Sequence, residues 1–567
     1  MNNELNLLKK KFKKYNIDGY VIPKNDEFFG EYSEIDRLKI ISGFTGSAGI
    51  AIVLKNKNYL FVDGRYTIQS QLESGRNFKI INYEKIINCN LFKRKILGID
   101  PKLFTNKQIK NYFLKNNKIK LIKDNLIDGI KMKKTLKKKL FYSLKKNIVG
   151  ESHKSKINKI SNYLVKNKSD YLFVSAPENV AWILNIRGND NPNSPIPNSR
   201  LLINKKREIY LITELRKVKK LISEKKINLR QIIKPHNLER KILKLKGKIF
   251  NIDEKTCSIY LENLIKKNFK IRNKYDPTYL YKSIKNSVEI ENMVKAHIQD
   301  GVALTKFLYW IKKVNKKKIN EVQAQNKLEK FRKINKNYLF PSFNTIAGTG
   351  ENGAVVHHRA KKSNTKFINN NDIFLCDSGG QYKYGTTDVT RTICFNEQKK
   401  YIKNIFTKVL KGHIAVVNTN LKKDNTGKKI DIRARKFLKK EGLDYLHGTG
   451  HGVGFFLNVH EGPQSIAKNN NVKMQPGMIL SNEPGYYKKK HFGIRIENLI
   501  YIKKLKKNIF FENLTMAPIE KDLINFQLLT SQEKKYLFNY HLDVYSKLSK
   551  YLNLPEKKWL ASFIQHF

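Results

Sequence analysis

The sequence predicts an α/β (α+β) protein made of several domains. The chain has 567 residues, whereas a single domain usually has about 100 to 200. Short apolar runs bounded by Gly, Pro and Asn alternate with amphipathic stretches, which is typical of strands packed with helices. Apolar residues make up 40% and aromatic residues 11% of the chain. This share fills several cores and excludes a wholly disordered chain.

The N-terminal half predicts two α/β domains, at residues 1–145 and 146–283. In the first, residues 20–23 and 49–54 have the apolar composition of buried strands. The lysine-rich residues 131–147 are predicted as an exposed connecting helix. A second alternation of strand-like and helix-like segments follows, which predicts the second domain.

The C-terminal half predicts a third domain at residues 284–510 and a helical extension at 511–567. Apolar residues recur at helical spacing after residue 287, so a long helix is expected to open the third domain. The Ser-x-Glu sequence at Ser531 predicts the start of a helix over 531–548. The apolar residues from Trp559 onward are expected to pack back onto the protein.

The chain carries a formal charge of +64, from 112 Lys and Arg against 48 Asp and Glu. Such an excess can indicate nucleic-acid binding. However, lysine is abundant along the whole chain, together with Asn, Ile, Tyr and Phe, as expected where A/T-rich codons are favoured throughout. A phosphate-binding surface is usually concentrated and richer in arginine. We therefore interpret the lysines as solvated surface and expect no nucleic-acid partner.

Three absences in the sequence predict a cytoplasmic protein. No run approaches the length of uncharged apolar residues that a membrane span needs. The first residues have neither an apolar core nor a small-residue cleavage site, so a secretory signal is not expected. The cysteines are scattered without a CxxC pair, which fits a reducing compartment; they are Cys89, Cys257, Cys376 and Cys394.

Two pairs of acidic residues stand in apolar segments of the third domain. Asp377 ends an apolar run and Asp388 lies in the next predicted strand, with a glycine-rich segment between them that predicts a hairpin. Glu483 and Glu497 repeat this arrangement around a Gly/Lys-rich turn. One such pair alone is more typical of a solvated surface hairpin. Two pairs flanked by Ile, Leu or Val need a cation or a shared proton, because buried like charges repel each other.

A glycine-rich segment between these pairs holds His447, His451 and His460. Its glycines let the backbone approach a neighbour closely, but it does not match the GxGxxG fingerprint, and the chain has no GxxxxGK[ST] or HExxH motif. Four carboxylates and at least one imidazole form a donor set suited to Mn²⁺, Co²⁺ or Zn²⁺. Two such ions, about 3.5–4 Å apart, can hold a hydroxide that is nucleophilic at neutral pH. The residues therefore predict a dinuclear metallohydrolase.

The segments around these residues resemble the aminopeptidase P (Xaa-Pro aminopeptidase) family of peptidase family M24, in its three-domain cytosolic form. They read FLCDSGGQYKYGTTDVTRT, YLHGTGHGVGFFLNVHEGP and SNEPGYYKKKHFGIRIEN. IPKNDEFFGEY, SGFTGSAGIAIV and VDGRY resemble the first domain of that family, and ENVAWILNIRG resembles its second. The resemblance implies two creatinase-N-like α/β domains followed by a pita-bread catalytic domain, and a homodimer.

The resemblance implies an enzyme that hydrolyses the N-terminal Xaa-Pro bond of peptides with proline at the second position. It would use two divalent metal ions per chain, of which Mn²⁺ is preferred and Zn²⁺ and Co²⁺ are alternatives. Asp377 would bind one ion through both oxygens, and Asp388 and Glu497 would bridge the pair. His451 and Glu483 would bind the second ion, and Glu483 would also move the proton of the attacking water.

Four further residues match positions that support the reaction in the family. His357 would line the substrate site, and His447 and His460 would hold the peptide and the developing oxyanion. Arg495 would support the metal-binding carboxylates from behind. Asn482 departs from the pattern, because the family often has Asp beside the ligand glutamate.

His358 and Arg359 are a second departure, because an aromatic residue is more usual after His357. Neither departure removes a predicted ligand, although both could alter substrate preference. Two alternatives stay open. One is a prolidase-like dipeptidase, which would require a dipeptide with a free carboxylate. The other is a metal-free pita-bread protein that acts as a basic binding module, for which the charge of +64 is the supporting feature.

Overall fold

A computed structural model describes residues 2–31, 35–87, 89–131 and 139–565, and it divides into two units, Met1–Tyr279 and Leu280–Phe567. Its helices are α1 Asn2–Lys14, α2 Arg37–Ser42, α3 Thr67–Ser74, α4 Asn106–Tyr112, α5 Asp128–Lys131, α6 Lys146–Val149, α7 His153–Lys166, α8 Pro177–Leu184, α9 Lys219–Ser223, α10 Leu238–Leu243, α11 Ile259–Lys266, α12 Thr278–Ser283, α13 Ser287–Lys313, α14 Glu321–Lys333, α15 Lys400–Val417, α16 Gly427–Lys439, α17 Ser531–Leu548 and α18 Leu554–Ala561.

The strands of the first unit are β1 Gly19–Pro23, β2 Ile50–Leu54, β3 Asn58–Val62, β4 Lys79–Asn82, β5 Ile96–Ile99, β6 Lys118–Leu121, β7 Tyr142–Ser143, β8 Tyr171–Val174, β9 Ile186–Arg187, β10 Arg200–Asn204, β11 Ile209–Ile212, β12 Ile232–Ile233, β13 Ile249–Ile252 and β14 Lys270–Asn273. Those of the second unit are β15 Tyr338–Pro341, β16 Ile346–Thr349, β17 Phe374–Ser378, β18 Gly380–Tyr382, β19 Gly385–Thr386, β20 Val389–Ile393, β21 Gly450–Gly452, β22 Glu461–Ile466, β23 Ile479–Asn482, β24 Gly485–Lys488, β25 Phe492–Arg495, β26 Asn498–Leu505 and β27 Asn508–Asn513.

The first unit contains two six-stranded sheets with equivalent strand order. The first sheet runs β4-β3-β2-β1-β5-β6 and the second runs β12-β11-β10-β8-β13-β14. In each, antiparallel pairs in the middle are flanked by parallel pairs at both edges. The central strands β1 and β2 are buried along their whole length, because both faces of the sheet are covered. The two predicted buried strands therefore lie at the centre of the first sheet.

The predicted connecting helix over residues 131–147 is wrong for residues 139–145, where the structure has no helix. Residues 132–138 lie outside the described residues. Beyond them, Tyr142–Ser143 forms strand β7 on β9, and a helix begins only at Lys146. Phe141 and Leu144 are buried on either side of this strand, so the burial of these two apolar side chains overrides the helical appearance of the lysine-rich sequence.

Helix α13 opens the second unit, as the apolar spacing predicted. The Asn286 side chain accepts the N–H of Glu289, and the Glu289 carboxylate accepts the N–H of Asn286, which completes a capping box. Helix α17 covers residues 531–548 as predicted, but its cap is Thr530, paired with Glu533, rather than Ser531. Trp559 in α18 packs against the ring of Tyr309, so the C-terminal apolar segment does return to the protein.

Three β-sheets and a two-stranded hairpin are described in the second unit. The sheets are β15-β18-β19, β16-β17-β20 and β22-β21-β23-β26-β27, and the hairpin is β24-β25. Helices α15 and α17 pack against this framework and share a buried apolar core with β25. No helix in the described part of the chain is long and apolar enough to cross a membrane. All four cysteines are buried and free of disulfides.

Candidate metal centre

Two antiparallel strand pairs place the four predicted acids. Strand β17 pairs with β20, with Asp377 opposite Thr390, and β23 pairs with β26 in the same way. Asp388 and Glu497 lie immediately before β20 and β26, rather than inside strands as the sequence predicted. Each connecting segment forms a strand pair of its own, β18–β19 or β24–β25. Asp388 therefore lies where the chain passes from the β18–β19 pair into β20, and Glu497 lies where it passes from the β24–β25 pair into β26.

His451 lies at the middle of β21, between two glycines that allow a close strand contact. A Cβ atom on Gly450 would lie 1.9 Å from the carbonyl oxygen of Ser481, so only glycine fits there. The Nδ1 atom of His451 lies 3.0 Å from its neighbour's carbonyl oxygen and therefore carries the ring proton. Its Nε2 lone pair then faces carboxylate oxygens of Asp388 and Glu483, each at 3.5 Å.

Like charges crowd this site. Ligand atoms of Asp388, His451 and Glu497 all lie within 4.8 Å of one another. Burial, followed by the charges of Asp377 and Glu483, raises the pKa of Asp388 well above its usual range. Burial also raises the pKa of Glu497, with further contributions from the neighbouring acids. The ionised carboxylates therefore lack sufficient positive charge from the protein itself.

Arg495 supplies the protein's own positive charge to the centre. Its Nη2 donates to Asp377 Oδ2 at 2.6 Å, and both side chains are largely buried. The other oxygen of Asp377, Oδ1, is buried and has no hydrogen-bond partner. The Thr390 hydroxyl donates to Glu497 Oε2 at 2.7 Å and accepts from Arg495 Nε at 3.1 Å.

These observations fit a divalent-cation centre. A buried carboxylate oxygen without a partner, an imidazole lone pair aimed at carboxylates, and acids with raised pKa values would each be compensated by a bound cation. The oxygen-rich donor set suits Mn²⁺, Co²⁺ or Zn²⁺ rather than a thiolate-binding metal. Such an arrangement can activate water for hydrolysis.

The three predicted substrate histidines lie around this centre in different environments. The rings of His460 and His451 meet edge to face, with centroids 4.3 Å apart. His447 Nδ1 lies 2.8 Å from the Gly448 carbonyl oxygen, and its Nε2 lies 2.9 Å from the Tyr487 hydroxyl. His357 is half-buried, and the carbonyl before it lies 3.4 Å from Arg495 Nη2.

Tyr487 joins His447 to the acids and was not predicted from the sequence. Burial raises the pKa of Tyr487 to about 12, so the hydroxyl keeps its proton and donates it to His447 Nε2. The same hydroxyl accepts from Arg495 Nη1 at 2.6 Å. A hydrogen-bond chain therefore runs from Asp377 through Arg495 and Tyr487 to His447. Tyr487 stands four residues after Glu483, but only the hairpin β24–β25 turns it back toward the site.

The two departures from the family pattern have structural partners. His358 is buried, and its Nε2 lies 3.2 Å from Glu321 Oε2, so it anchors the segment that carries His357. Arg359 is exposed. The amide of Asn482 donates to the carbonyl oxygen of His413 at 2.9 Å and so ties the end of β23 to α15.

Arg391 connects the metal centre to the C-terminal segment. It is fully buried, and its Nη1 donates to the carbonyl oxygen of Glu497 at 2.7 Å. Its Nε donates to the carbonyl oxygen of Pro518 at 2.9 Å, and its Nη2 donates to the Tyr540 hydroxyl at 3.0 Å. One guanidinium thus binds the strand of the site, the segment after β27 and helix α17.

A second group of candidate metal ligands does not require an ion. Cys394, Glu520 and Asp522 lie close enough to share one. However, Lys312 Nζ lies 2.6 Å from Glu520 and 3.1 Å from Asp522, so both acids already pair with an ammonium group.

Known families match four consecutive parts of the chain. Residues 5–126 and 132–289 each match the Creatinase/Prolidase N-terminal domain. Residues 291–504 match Metallopeptidase family M24, and residues 508–567 match the C-terminal region of peptidase M24. This order confirms the predicted fold class, in which two creatinase-N-like α/β domains precede a pita-bread domain.

Full-length relatives agree with these matches. The probable Xaa-Pro aminopeptidase P of Pyrenophora teres is 35% identical over 592 residues, which cover 96% of this chain and 89% of that protein. The crystal structure of X-prolyl aminopeptidase from Caenorhabditis elegans, described as a cytosolic enzyme with a di-nuclear active site, matches 99% of both chains with a TM-score of 0.91 and 27% identity. Prolidase from Pyrococcus furiosus matches 63% of this chain and 98% of its own, with a TM-score of 0.51 and 25% identity.

Proposed function

Because the chain belongs to the Xaa-Pro aminopeptidase P family of M24 metallopeptidases, we propose that it releases the first residue from peptides with proline at the second position. The reaction depends on divalent metal, and the metal-binding side chains are the predicted set of Asp377, Asp388, His451, Glu483 and Glu497. The observation that carries this assignment is the buried, unpartnered Oδ1 of Asp377 beside two acids with raised pKa values.

The chain's own residues orient the reacting groups. Bound divalent ions would supply Lewis-acid polarisation of the scissile carbonyl and an activated water. Glu483 Oε1 accepts from the Ser481 hydroxyl at 3.0 Å, and we assign movement of the water proton to this carboxylate. Ser481 also accepts the backbone N–H of His451 at 2.9 Å, so one hydroxyl contacts both the Glu483 carboxylate and the backbone of His451.

His357, His447 and His460 are assigned to peptide binding and oxyanion stabilisation. His460 is the best placed of the three, because its ring contacts that of His451. Both ring nitrogens of His447 lie within hydrogen-bond distance of protein groups, so a substrate contact through Nε2 would replace the bond to Tyr487. Arg495 is assigned to holding Asp377 in its ligand orientation.

Proline explains why this reaction needs a dedicated enzyme. The bond before proline is a tertiary amide without N–H, and the ring fixes φ. General peptidases therefore position this bond poorly, whereas a site that accepts the ring can select it.

Several finer assignments belong to the same proposal. Mn²⁺ is our preferred metal, because the donor set is dominated by carboxylates. A homodimer in the cytoplasm is expected from the family, and the description of the Caenorhabditis elegans enzyme as cytosolic supports the location. Of the proposed domain boundaries after residues 145, 283 and 510, the last two lie near junctions between family matches, at residues 289–291 and 504–508, whereas the first lies inside the match over residues 132–289.

The alternatives have less support. The match to a prolidase covers 63% of this chain, against 99% for the X-prolyl aminopeptidase. A metal-free binding module would not explain why the buried Oδ1 of Asp377 has no hydrogen-bond partner. Neither alternative accounts for the full length and the site together.

The deciding experiment measures metal content and activity on the same preparations. EDTA-treated protein should not cleave Arg-Pro-Pro, and added Mn²⁺ should restore release of arginine. Asp388→Asn should bind less metal and lose activity, whereas Thr305→Val, which changes a buried residue of helix α13 outside the predicted ligand set, should keep both. Cleavage of Xaa-Pro dipeptides alone would indicate a prolidase, and no cleavage with any metal would overturn the proposal.

A further inference from the structure

Two buried lysines share one glutamate next to the metal centre. The side chains of Lys282, Lys285 and Glu461 are 2%, 0% and 3% exposed. Lys282 Nζ lies 3.1 Å from Glu461 Oε2, and Lys285 Nζ pairs with Oε1. Each carboxylate oxygen therefore has its own ammonium group. The buried Glu289 adds a second negative charge that acts on Lys285.

Such a cluster is expensive to bury and is unnecessary for a stable core. Removing two ammonium groups and a carboxylate from water is unfavourable, and their mutual attraction offsets this only with good geometry. Apolar side chains of similar volume would often stabilise the fold as much as the ion cluster does. What an ion cluster adds is a defined position for the backbone that carries it.

At Glu461, strand β22 pairs with β21 again beyond an irregularity in the pairing of the two strands. His451 pairs with Ser465, but the next residue, Gly452, pairs with Glu461, so residues 462–464 bulge out of the ladder. Bulges re-aim side chains and leave strands less firmly held. Glu461 is therefore the point at which the end of β22 must be fixed by something other than regular pairing.

The residue before this point is His460, whose ring lies against His451. Lys285 is itself fixed, because its backbone N–H donates to the Gly477 carbonyl oxygen at 3.0 Å. The segment from the end of α12 to the start of α13, which carries both lysines, thus holds Glu461 from a fixed position.

We propose that Lys282 and Lys285 are positioning residues of the reaction, which hold Glu461 and thereby keep the His460 imidazole against His451. This inference rests on the proposed function for its kinetic consequence. The two lysines would thus orient a substrate-binding histidine without themselves touching the substrate.

The kinetic test uses Lys285→Met and its combination with His460→Ala. We expect Lys285→Met to lower kcat on Arg-Pro-Pro by about tenfold to a hundredfold, as for other misplaced groups, with bound metal and KM little changed. In the His460→Ala background, Lys285→Met should cause almost no further loss of kcat. Equal losses in both backgrounds would show that Lys285 does not act through His460.

A matched control separates positioning from stability. Lys312→Met also removes a lysine from an ion pair with a buried glutamate of the same unit, Glu520. It should lower the unfolding midpoint by a similar amount and leave kcat unchanged. A loss of kcat in Lys312→Met equal to that in Lys285→Met would overturn the proposal. If Lys285→Met folds poorly, Lys282→Met, which removes the other ammonium group from Glu461, takes its place. A loss of kcat that disappears in the His460→Ala background would support the proposal, and an unchanged kcat would overturn it.

Hydrogen exchange supplies a readout that does not depend on activity. Amides of residues 450–466 should exchange faster in Lys285→Met than in the unmodified protein and in Lys312→Met. Unchanged exchange there would contradict the proposal even if the peptidase assay succeeds. Conversely, faster exchange in a protein that cleaves no Xaa-Pro peptide would support the structural link and defeat the proposed function alone.

Discussion

At the scale of single residues, Thr390 shows how one hydroxyl can organise a metal centre. It donates to Glu497 Oε2 and accepts from Arg495 Nε, so it sets the orientation of an acid and of the cation behind the acids. We predict that Thr390→Val, which keeps the shape of the side chain, weakens metal binding by about tenfold to a hundredfold, the range seen for partners of metal ligands. Metal content after dialysis against graded chelator measures this.

Thr305 offers the matched control for that prediction. It is also fully buried, and its hydroxyl has no hydrogen-bond partner in the structure. Thr305→Val should therefore retain metal at every chelator concentration. If both variants lose metal equally, the effect belongs to packing and not to the Thr390 hydroxyl.

His541 makes stability depend on acid. Burial, with a contribution from Arg391, lowers the pKa of His541 to about 3, and its Nε2 accepts the N–H of Ile519 at 3.1 Å. Between pH 6.5, near the unfolded value, and pH 3, the unfolded chain binds a proton that the folded chain does not. Stability from this histidine is therefore complete above the upper limit and is lost as pH falls, by about 1.4 kcal/mol per pH unit at most.

His541→Gln should reduce that pH dependence, because glutamine can accept the same N–H and does not titrate. The measurement is the urea midpoint at several pH values between 7 and 4. Burial also lowers the pKa of His413 to about 3, so part of the slope should remain in the variant. A slope identical to that of the unmodified protein would refute the prediction.

At the scale of secondary structure, the beginning of α17 can be tested by substitution. The Thr530 hydroxyl accepts the N–H of Glu533, and the Glu533 carboxylate accepts the N–H of Thr530. Thr530→Ala should cost about 1 kcal/mol of stability, the usual loss of a helix cap. Ser531→Ala should change the unfolding midpoint little, although the sequence placed the helix start there. If Ser531→Ala lowered the unfolding midpoint more than Thr530→Ala, Ser531 rather than Thr530 would be the cap residue.

The sequence predicts elements well where burial and local pattern agree. The buried strands at residues 20–23 and 49–54 and the helix from residue 287 follow apolar periodicity and capping, and the structure has all three. Asp388 and Glu497 fall outside strands because each connecting segment forms a strand pair of its own, and pairing between distant segments has no local signal. The lysine-rich sequence misled for a related reason, since the pairing of β7 with β9 is a tertiary contact.

The residues of the metal centre also include some that the sequence predicts and some that it does not. The acids and histidines could be predicted because charges inside apolar, glycine-rich segments are costly and therefore conspicuous. Thr390 and Tyr487 could not, because an ordinary threonine in a strand and a tyrosine in a hairpin acquire their roles only when β20 and β25 bring Arg495 between them.

At the scale of the whole molecule, the charge of +64 should influence which peptides bind and not how they are cleaved. Exposed charges act over about a Debye length, which shrinks from roughly 14 Å to roughly 4 Å between 0.05 and 0.5 M salt. We predict that KM for an acidic Xaa-Pro peptide rises over this range while KM for an uncharged one stays constant. Steady-state kinetics at the two salt concentrations measure this, and a salt-sensitive KM for the uncharged peptide would point to specific ion binding.

Arg391 has a consequence for any attempt to shorten the protein. Its guanidinium joins the backbone of Glu497 to Pro518 and to the Tyr540 hydroxyl. A fragment that stops at residue 504, where the match to the metallopeptidase family ends, would lack Pro518 and Tyr540. The buried Arg391 guanidinium would then have N–H groups without acceptors, and apolar residues that pack against α17 would be exposed to water. The smallest autonomous hydrolytic piece must therefore retain α17, and limited digestion that removes this helix should inactivate the enzyme.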